Sequence, residues 1–288
     1  MNTDTNRPEA RRLRKLITGM PATDGAGVKL VRVIGQPSMM DLDPFLLLDA
    51  FRSDNADDYI AGFPPHPHRG FETVTYLLEG RMRHKDNAGN EGVIEPGGIQ
   101  WMTAGKGIVH SEMPEQENGR LEGFQLWVNL PAAHKMTQPL YQEHDAASIP
   151  TETRTGTSIK VITGKTSKGT TGPITQPLTD PLYLDVDLEA NTGFDEPLPI
   201  EHNAFVYVIE GTVTLKTETG ESAIVSRDQL AILSEGYSVS LRSQDEGARF
   251  LLIAGKPIGE PIARGGPFVM NTQAEVKQAF TDYQSGEF

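Results

Sequence analysis

Residues 74–82 carry the sequence VTYLLEGRM, and residues 205–213 carry FVYVIEGTV. Both stretches are rich in β-branched and aromatic residues, and their tyrosines and Glu-Gly steps are in register 131 residues apart. Such a composition favours strands, and the glycine allows the backbone to reverse into a following strand. Further short apolar runs, separated by clusters of Gly, Pro, Asn and Asp, follow each copy. The sequence therefore predicts an all-β protein with two similar antiparallel domains in tandem.

The composition excludes several classes of protein and site. Of 288 residues, 37% are hydrophobic and 23% charged, as in ordinary soluble globular proteins. The absence of cysteine excludes disulfides, cysteine-ligated zinc and iron–sulfur clusters. A net charge of −13 argues against direct nucleic-acid binding, which needs clustered Lys and Arg. No apolar run reaches the length of a membrane span, and the N terminus lacks a secretory signal core, so we expect no membrane association and a cytoplasmic location.

Changes in composition divide the chain into four predicted segments. Residues 1–16 form a small basic N-terminal extension, residues 17–135 a first barrel, residues 136–157 a polar linker, and residues 158–288 a second barrel. In the last segment, TQAE at residues 272–275 has the pattern of a capping box, and apolar residues follow it at helical spacing. We therefore expect one short C-terminal helix, with its apolar stripe packed against a barrel.

Two pairs of metal-binding residue types stand in the first half. The stretch PPHPHRGFE at residues 64–72 contains His66 and His68, and IVHSEM at residues 108–113 contains His110 and Glu112. Prolines disfavour a helix at the first pair, and strand residues two apart point to the same face.

A lone His-x-His pair is a weak signal, because most strand histidines lie at the surface or make ordinary hydrogen bonds. Two such pairs about 42 residues apart predict a site for one divalent iron, copper, nickel, manganese or zinc ion.

The second half has lost these residues. Only His202 precedes its copy of the repeated strand, and the positions that correspond by spacing to His110 and Glu112 are Leu241 and Ser243. Neither of those side chains replaces the missing ligands. The sequence predicts one metal ion per chain, held by the first barrel, and a second barrel that is packed with apolar side chains and has a structural or partner-facing role.

These motifs resemble those of the pirin family, which belongs to the bicupins of the cupin superfamily. The resemblance covers the chain from about residue 25 to its end, and the carrying stretches are LDPFLLLD at residues 42–49, PHPHRGFETV at 65–74, QWMTAGKGIVHSE at 100–112 and GPFVMNT at 266–272. It implies two tandem antiparallel cupin barrels of jelly-roll type, with a short C-terminal helix. It also implies a non-haem Fe(II) ion in the N-terminal barrel.

The resemblance further implies which residues bind that ion. In the pirin variant of the cupin motif, the four ligands fall on His66, His68, His110 and Glu112. The general cupin pattern would instead use Glu72 as a ligand. We therefore expect Glu72 to support the site without binding the metal.

Fold and site together still allow more than one function. Pirin-like proteins include enzymes with quercetin 2,3-dioxygenase activity, whose substrates are a flavonol and dioxygen, and here Glu112 would act as general base as well as ligand. Others are metal-dependent or redox-sensing transcription co-regulators, which would act through a protein partner because this chain has no DNA-reading motif. A complete ligand set with open metal positions favours the dioxygenase.

Overall fold

A computed structural model describes residues 10–288, so the first nine residues of the predicted N-terminal extension lie outside the described residues. Within this range the chain forms strands, three short 3-10 helices and one α-helix. All the strand pairs of the sheets are antiparallel, which confirms the predicted all-β class.

The bounds of the elements follow in chain order. The first twelve strands are β1 (Leu13–Thr18), β2 (Met20–Asp24), β3 (Val28–Ile34), β4 (Phe45–Ser53), β5 (Phe63–His68), β6 (Phe71–Glu79), β7 (Met82–Asp86), β8 (Glu91–Ile94), β9 (Ile99–Thr103), β10 (Ile108–Pro114), β11 (Leu121–Asn129) and β12 (Leu140–His144). The remaining elements are β13 (Thr151–Arg154), β14 (Thr157–Thr163), β15 (Leu182–Leu188), β16 (Gly193–Pro197), β17 (Asn203–Lys216), β18 (Ser222–Ser226), β19 (Gln229–Leu233), β20 (Ser238–Gly255), β21 (Ala263–Gly265), β22 (Phe268–Met270) and α1 (Gln273–Ser285).

The chain folds into two compact units, which we call the first and the second barrel. The first barrel comprises Met20–Ser148 and Ile258–Phe288. Its strands form a seven-stranded sheet in the order β12-β9-β6-β11-β4-β3-β2, a four-stranded sheet in the order β5-β10-β7-β8, and the hairpin β21-β22. Buried apolar residues of several of these strands, among them Phe51, Leu77 and Met82, pack into a common core.

The second barrel comprises the described residues up to Gly19 and Ile149–Pro257. Its strands form a nine-stranded sheet with the path β1-β19-β17-β20-β15-β14-β13, and β16 and β18 pair with β20 and β17. Alternate residues of the central strand β17, namely Ala204, Val206 and Val208, face one apolar core, as the period of two for a strand requires.

The repeated stretches occupy equivalent positions in the two barrels. In the first barrel β6 lies between β9 and β11, and Tyr76 pairs with Ile99. In the second barrel β17 lies between β19 and β20, and Tyr207 pairs with Leu230. The predicted repeat is therefore a repeat of structure as well as of sequence.

The structure divides the chain at different points from the sequence. Strand β1 overlaps the predicted extension, but it pairs with β19 and buries Ile17 in the second barrel. The predicted linker, 136–157, contains β12, paired with β9, and β13, paired with β14. The segment after Pro257 joins the first barrel, not the second. Edge strands carry free backbone donors and acceptors, so distant segments can complete either barrel.

The C-terminal helix α1 has the predicted capping box. The Thr272 side chain accepts a hydrogen bond from the backbone of Glu275, and the Glu275 side chain accepts one from the backbone of Thr272. The helix buries Val276 and Ala279 and stacks Phe280 edge-on against Phe268, with ring centroids 4.8 Å apart. In the part of the chain that the structure describes, no helix has the length and hydropathy needed to cross a bilayer.

Candidate metal centre

Strands β5 and β10 bring three histidines together. They pair antiparallel, with His66 directly opposite His110 and His68 opposite Ile108. One ring nitrogen of each imidazole lies within 4.8 Å of one on each of the others. Among residues 10–288, these three histidines form the one group of three or more potential ligand residues close enough to hold a metal ion. His68 and His110 are buried, and His66 is half-buried at the mouth of the group.

The hydrogen bonds of β5 orient two of the imidazoles. Nδ1 of His66 lies 2.9 Å from the carbonyl oxygen of Pro64, and Nδ1 of His68 lies 3.4 Å from that of Pro267. Because a carbonyl only accepts, we assign the ring proton to Nδ1 in both residues. Their Nε2 atoms then present lone pairs to each other at 3.0 Å. A cation between them relieves that repulsion, so the arrangement fits a metal ion.

The third imidazole provides a second indication. Neither ring nitrogen of His110 has a hydrogen-bond partner among the described residues, although the side chain is only 1% exposed. Buried polar atoms in folded proteins almost always have a partner. A metal ion bound at Nε2 would satisfy one of these two nitrogens.

Burial keeps the imidazoles of His68 and His110 neutral in the metal-free protein. It lowers the pKa of His68 to about 3, with a smaller contribution from the neighbouring His66. It also lowers the pKa of His110 well below its usual value, and His68 and His66 act in the same direction. Neutral imidazole is the form that binds a metal ion, so the site is ready for one at neutral pH.

Glu112, the fourth predicted ligand, lies beside the histidines but outside the three-residue group. Its Oε2 is 4.0 Å from Nε2 of His110, and its Oε1 accepts a hydrogen bond of 2.9 Å from the hydroxyl of Thr75. Burial raises the pKa of the Glu112 carboxyl, while His66 and the Thr75 hydrogen bond oppose that shift. The structure thus brings three predicted ligands together, and ligation by Glu112 stays a prediction.

Thr75 and Gln125 are polar neighbours of the site that the sequence did not identify. Thr75 Oγ1 lies 2.6 Å from Oε1 of Gln125, which it faces across the β6–β11 pair. The available signal was a hydroxyl within the predicted strand, two positions before Leu77 and therefore on the same face as that apolar residue. His84, opposite Glu112 on β7, was also missed, and its Nε2 lies 2.6 Å from a carboxylate oxygen of Glu143.

The other residues considered from the sequence have separate roles. Glu72 is buried, and its Oε1 accepts a hydrogen bond of 2.6 Å from Thr103, while its supporting role at the site stays a prediction. His202 lies in the second barrel, where its Nε2 is 3.6 Å from Oδ2 of Asp180.

A cavity of about 730 Å³ opens onto His66, His68 and Glu112. Its wall includes the apolar side chains of Leu47, Phe51 and Trp127. Trp127 also packs edge-on against His68, with ring centroids 5.3 Å apart. A largely apolar cavity with a few convergent polar groups is typical of a small-molecule site.

The C-terminal segment fastens the strands that carry the histidines. Arg69 directly follows β5, and its Nε donates to the carbonyl of Lys106, just before β10. Its Nη1 donates to Asp282 of α1 at 2.6 Å, and its guanidinium lies 4.3 Å from the ring centroid of Phe288. These contacts join the ends of both ligand-bearing strands to the helix.

Comparisons with known proteins agree with this architecture. The family described as "Pirin" matches residues 27–128, and the family described as "Pirin C-terminal cupin domain" matches residues 183–288. A pirin-like protein from Caulobacter vibrioides is 54% identical over 279 residues, which cover 96% of this chain and 99% of that protein. Human pirin is 42% identical over 267 residues, which cover 92% of this chain and 89% of human pirin. A crystal structure of quercetin 2,3-dioxygenase from Acinetobacter baumannii is similar with a TM-score of 0.87 and 34% identity, covering 97% of this chain and 99% of that one.

Proposed function

The chain belongs to the pirin family, and from that premise we propose that its first barrel is a metal-dependent dioxygenase of the quercetin 2,3-dioxygenase type. The observation that carries the proposal is the set of three converging imidazoles beside a buried carboxylate, with His66, His68 and Glu112 at the wall of a largely apolar cavity. The name of the similar Acinetobacter baumannii structure supports the same reaction class.

The residues that would hold the metal are His66, His68, His110 and Glu112. We propose Fe(II) as the ion, because a set of imidazoles and one carboxylate without sulfur suits a mid-row divalent metal. When bound, such an ion supplies a Lewis acid toward the flavonol oxygens and a redox centre toward dioxygen.

Glu112 supplies the proton-transfer group. A flavonol bound in the cavity would present its 3-hydroxyl to the histidine group, and the Glu112 carboxylate would accept that proton. In the metal-free protein, burial raises the pKa of this carboxyl, which is the direction that favours proton acceptance. The Thr75 hydrogen bond holds Oε1, which leaves Oε2 as the atom that takes the proton.

The rest of the cavity positions the flavonolate for reaction with dioxygen. Apolar walls at Phe51 and Trp127 fit a planar aromatic substrate and keep water from the heterocycle. One flavonol and one dioxygen then give the ring-opened ester and one carbon monoxide, so that every atom of both reactants is accounted for.

An aerobic assay with quercetin tests the proposal. We expect the metal-loaded protein to consume quercetin and release carbon monoxide. Glu112→Gln is expected to keep most of the metal and to lose about 10²–10⁴ in rate, the usual contribution of a positioned base. The matched control is Glu95→Gln, an exposed carboxylate of the same barrel, which should leave turnover unchanged.

Two results would overturn parts of the proposal. If fully loaded protein turns over none of several flavonols, the dioxygenase proposal fails, and a metal- or redox-sensing co-regulator that acts through a protein partner becomes the better description. If loaded Glu112→Gln keeps full turnover, the enzyme stands but Glu112 is not its base.

A further inference from the structure

The cavity wall contains two arginines in opposite states. Arg32 makes a bidentate pair with Asp49, with Nε 2.9 Å from Oδ1 and Nη2 2.7 Å from Oδ2. Its Nη2 also lies 2.7 Å from Oδ2 of Asp24. The Asp49 hydrogen bond is the largest cause of the raised pKa of Arg32. This cation is saturated by the protein's own carboxylates and has little left to offer a ligand.

Arg264 has no comparable partner. It lies on β21, in the C-terminal segment, and no atom of the described residues accepts a hydrogen bond from its guanidinium. The carboxylate that faces it is that of Asp41, whose Oδ2 is 3.7 Å from Nη2, beyond hydrogen-bond distance. Its side chain is 26% exposed, and burial lowers its pKa. An arginine remains charged even so.

A partly buried guanidinium whose N–H donors lack hydrogen-bond partners destabilises the folded state. Burying a charge without hydrogen-bond partners is unfavourable, and native proteins rarely leave such a group unsatisfied. The planar fork of arginine matches acidic oxygens, to which it can donate two parallel hydrogen bonds. Because Arg264 and the metal-ligand candidates His66 and His68 line the same cavity, a ligand in that cavity can reach both.

We propose that Arg264 is a specificity-determining residue that binds an acidic ring hydroxyl of a substrate held in the cavity that His66 and His68 also line. The substrate class is then a polyhydroxylated planar aromatic that carries an acidic hydroxyl in addition to its metal-facing oxygens. This inference rests on the proposed function for the identity of the ring system. To that function it adds Arg264 as the residue by which the protein distinguishes a polyphenol from an unsubstituted flavonol.

Two probes isolate this contact under anaerobic conditions, where turnover does not occur. Quercetin and 3-hydroxyflavone share the 3-hydroxyl and the neighbouring carbonyl, but only quercetin carries hydroxyls on its outer rings. Their dissociation constants would be measured by fluorescence titration of metal-loaded protein. We expect Arg264→Gln to weaken quercetin binding about tenfold or more, the usual loss for a hydrogen bond to a charged group. Binding of 3-hydroxyflavone should change less than about twofold, since it makes no such bond.

Two further variants separate recognition from a structural role. Arg264→Lys keeps the charge but not the fork, so we expect an intermediate loss for quercetin alone. Arg81→Gln, an exposed arginine of the same barrel, should change neither constant. Because Arg264 has no hydrogen-bonded partner, Arg264→Gln should also leave the melting temperature unchanged. Arg32→Gln should lower the melting temperature, because it leaves the buried Asp49 carboxylate without its cationic partner.

The outcomes distinguish this inference from the proposed function. If both ligands weaken equally in Arg264→Gln, or if neither does, the assignment of Arg264 is wrong, even where carbon monoxide is released. If the selective loss occurs but no carbon monoxide forms in air, the dioxygenase proposal fails and the binding role of Arg264 stands. If neither probe binds the wild-type protein, both fail together.

Discussion

The two barrels share a strand arrangement but differ in what occupies equivalent positions. In the first barrel β5 pairs with β10, and in the second barrel β16 pairs with the start of β20. The His66–His110 pair of the first barrel corresponds to the Phe194–Leu241 pair of the second. The His68–Ile108 pair corresponds in the same way to Glu196–Val239. Phe194 and Leu241 belong to the apolar core of the second barrel. At the position of the His66–His110 pair, the same backbone thus carries ligand-type residues in one copy and core residues in the other.

The central strands show the same contrast. In the first barrel Thr75 pairs with Gln100 on one side and Gln125 on the other. The corresponding row of the second barrel, on β17 and its neighbours, consists of Ala231, Val206 and Leu252. A polar row that supports Glu112 has an entirely apolar counterpart. The comparison indicates that the first barrel gives up apolar burial to hold a site, while the second barrel keeps it.

The largest expected effect is on metal content. We expect one iron-class ion per chain in anaerobically purified protein and almost none in His68→Ala combined with His110→Ala, because two of the three converging imidazoles are lost. Elemental analysis measures this directly. His202→Ala, which removes a buried histidine of the second barrel, is the control and should retain full loading. Full loading of the double variant, or an anomalous signal near His202, would contradict the contrast between the barrels.

The next effect concerns stability at equivalent positions. Phe194→Ala should lower the free energy of unfolding by about 3–5 kcal/mol, since it removes a buried ring that packs against Phe250. His66→Ala in metal-free protein should cost less than about 1 kcal/mol, because that side chain is half-buried and belongs to the site. Urea unfolding of both variants gives the comparison. Equal losses would show that the two positions play the same structural role.

A smaller effect follows from exchanging one residue of the polar row. Thr75→Val installs the residue type of the second barrel and removes the hydrogen bond to Glu112. Loss of a supporting contact to a metal ligand typically costs about 10–100-fold in metal affinity. Competition with a chelator measures the dissociation constant. Thr214→Val, the same change on β17, should leave the metal dissociation constant unchanged. If Thr214→Val weakened metal binding as much as Thr75→Val, the contact from Thr75 would have no special role at the site.

The smallest effect concerns the pH dependence of the metal-free protein. The folded-state pKa of His68 is about 3, whereas an unperturbed histidine has a pKa of 6.5. Between these values the unfolded chain binds a proton that the folded chain does not, so stability falls as the pH falls. His68 alone should contribute about 1 kcal/mol between pH 6.5 and 5.5.

Thermal melts of wild type and His68→Gln across this pH range test that assignment. The variant should lose less stability than the wild type on acidification, because it lacks the titrating group. Parallel curves would show that His68 is not held neutral by burial.

Short-range sequence signals determined much of this protein. The repeated strand around Tyr76 and Tyr207, the histidine pairs and the capping box at Thr272 were all readable, because each depends on residues within a few positions of one another. The alternation of a strand places His66 and His68 on one face whatever the rest of the fold does. The antiparallel pairing that brings His110 opposite His66 was a reasonable extension of the same pattern.

Only the tertiary structure decided which distant segments complete each barrel. Strand β1 joins the second barrel, and the segment from Ile258 onward joins the first, where it supplies Arg264 to the cavity and the Pro267 carbonyl to His68. The local sequence identifies a strand or helix but not its partner, because backbone donors and acceptors at a sheet edge are chemically alike. Partners are selected by the packing of side chains from both segments, and that selection exists only once the chain has folded.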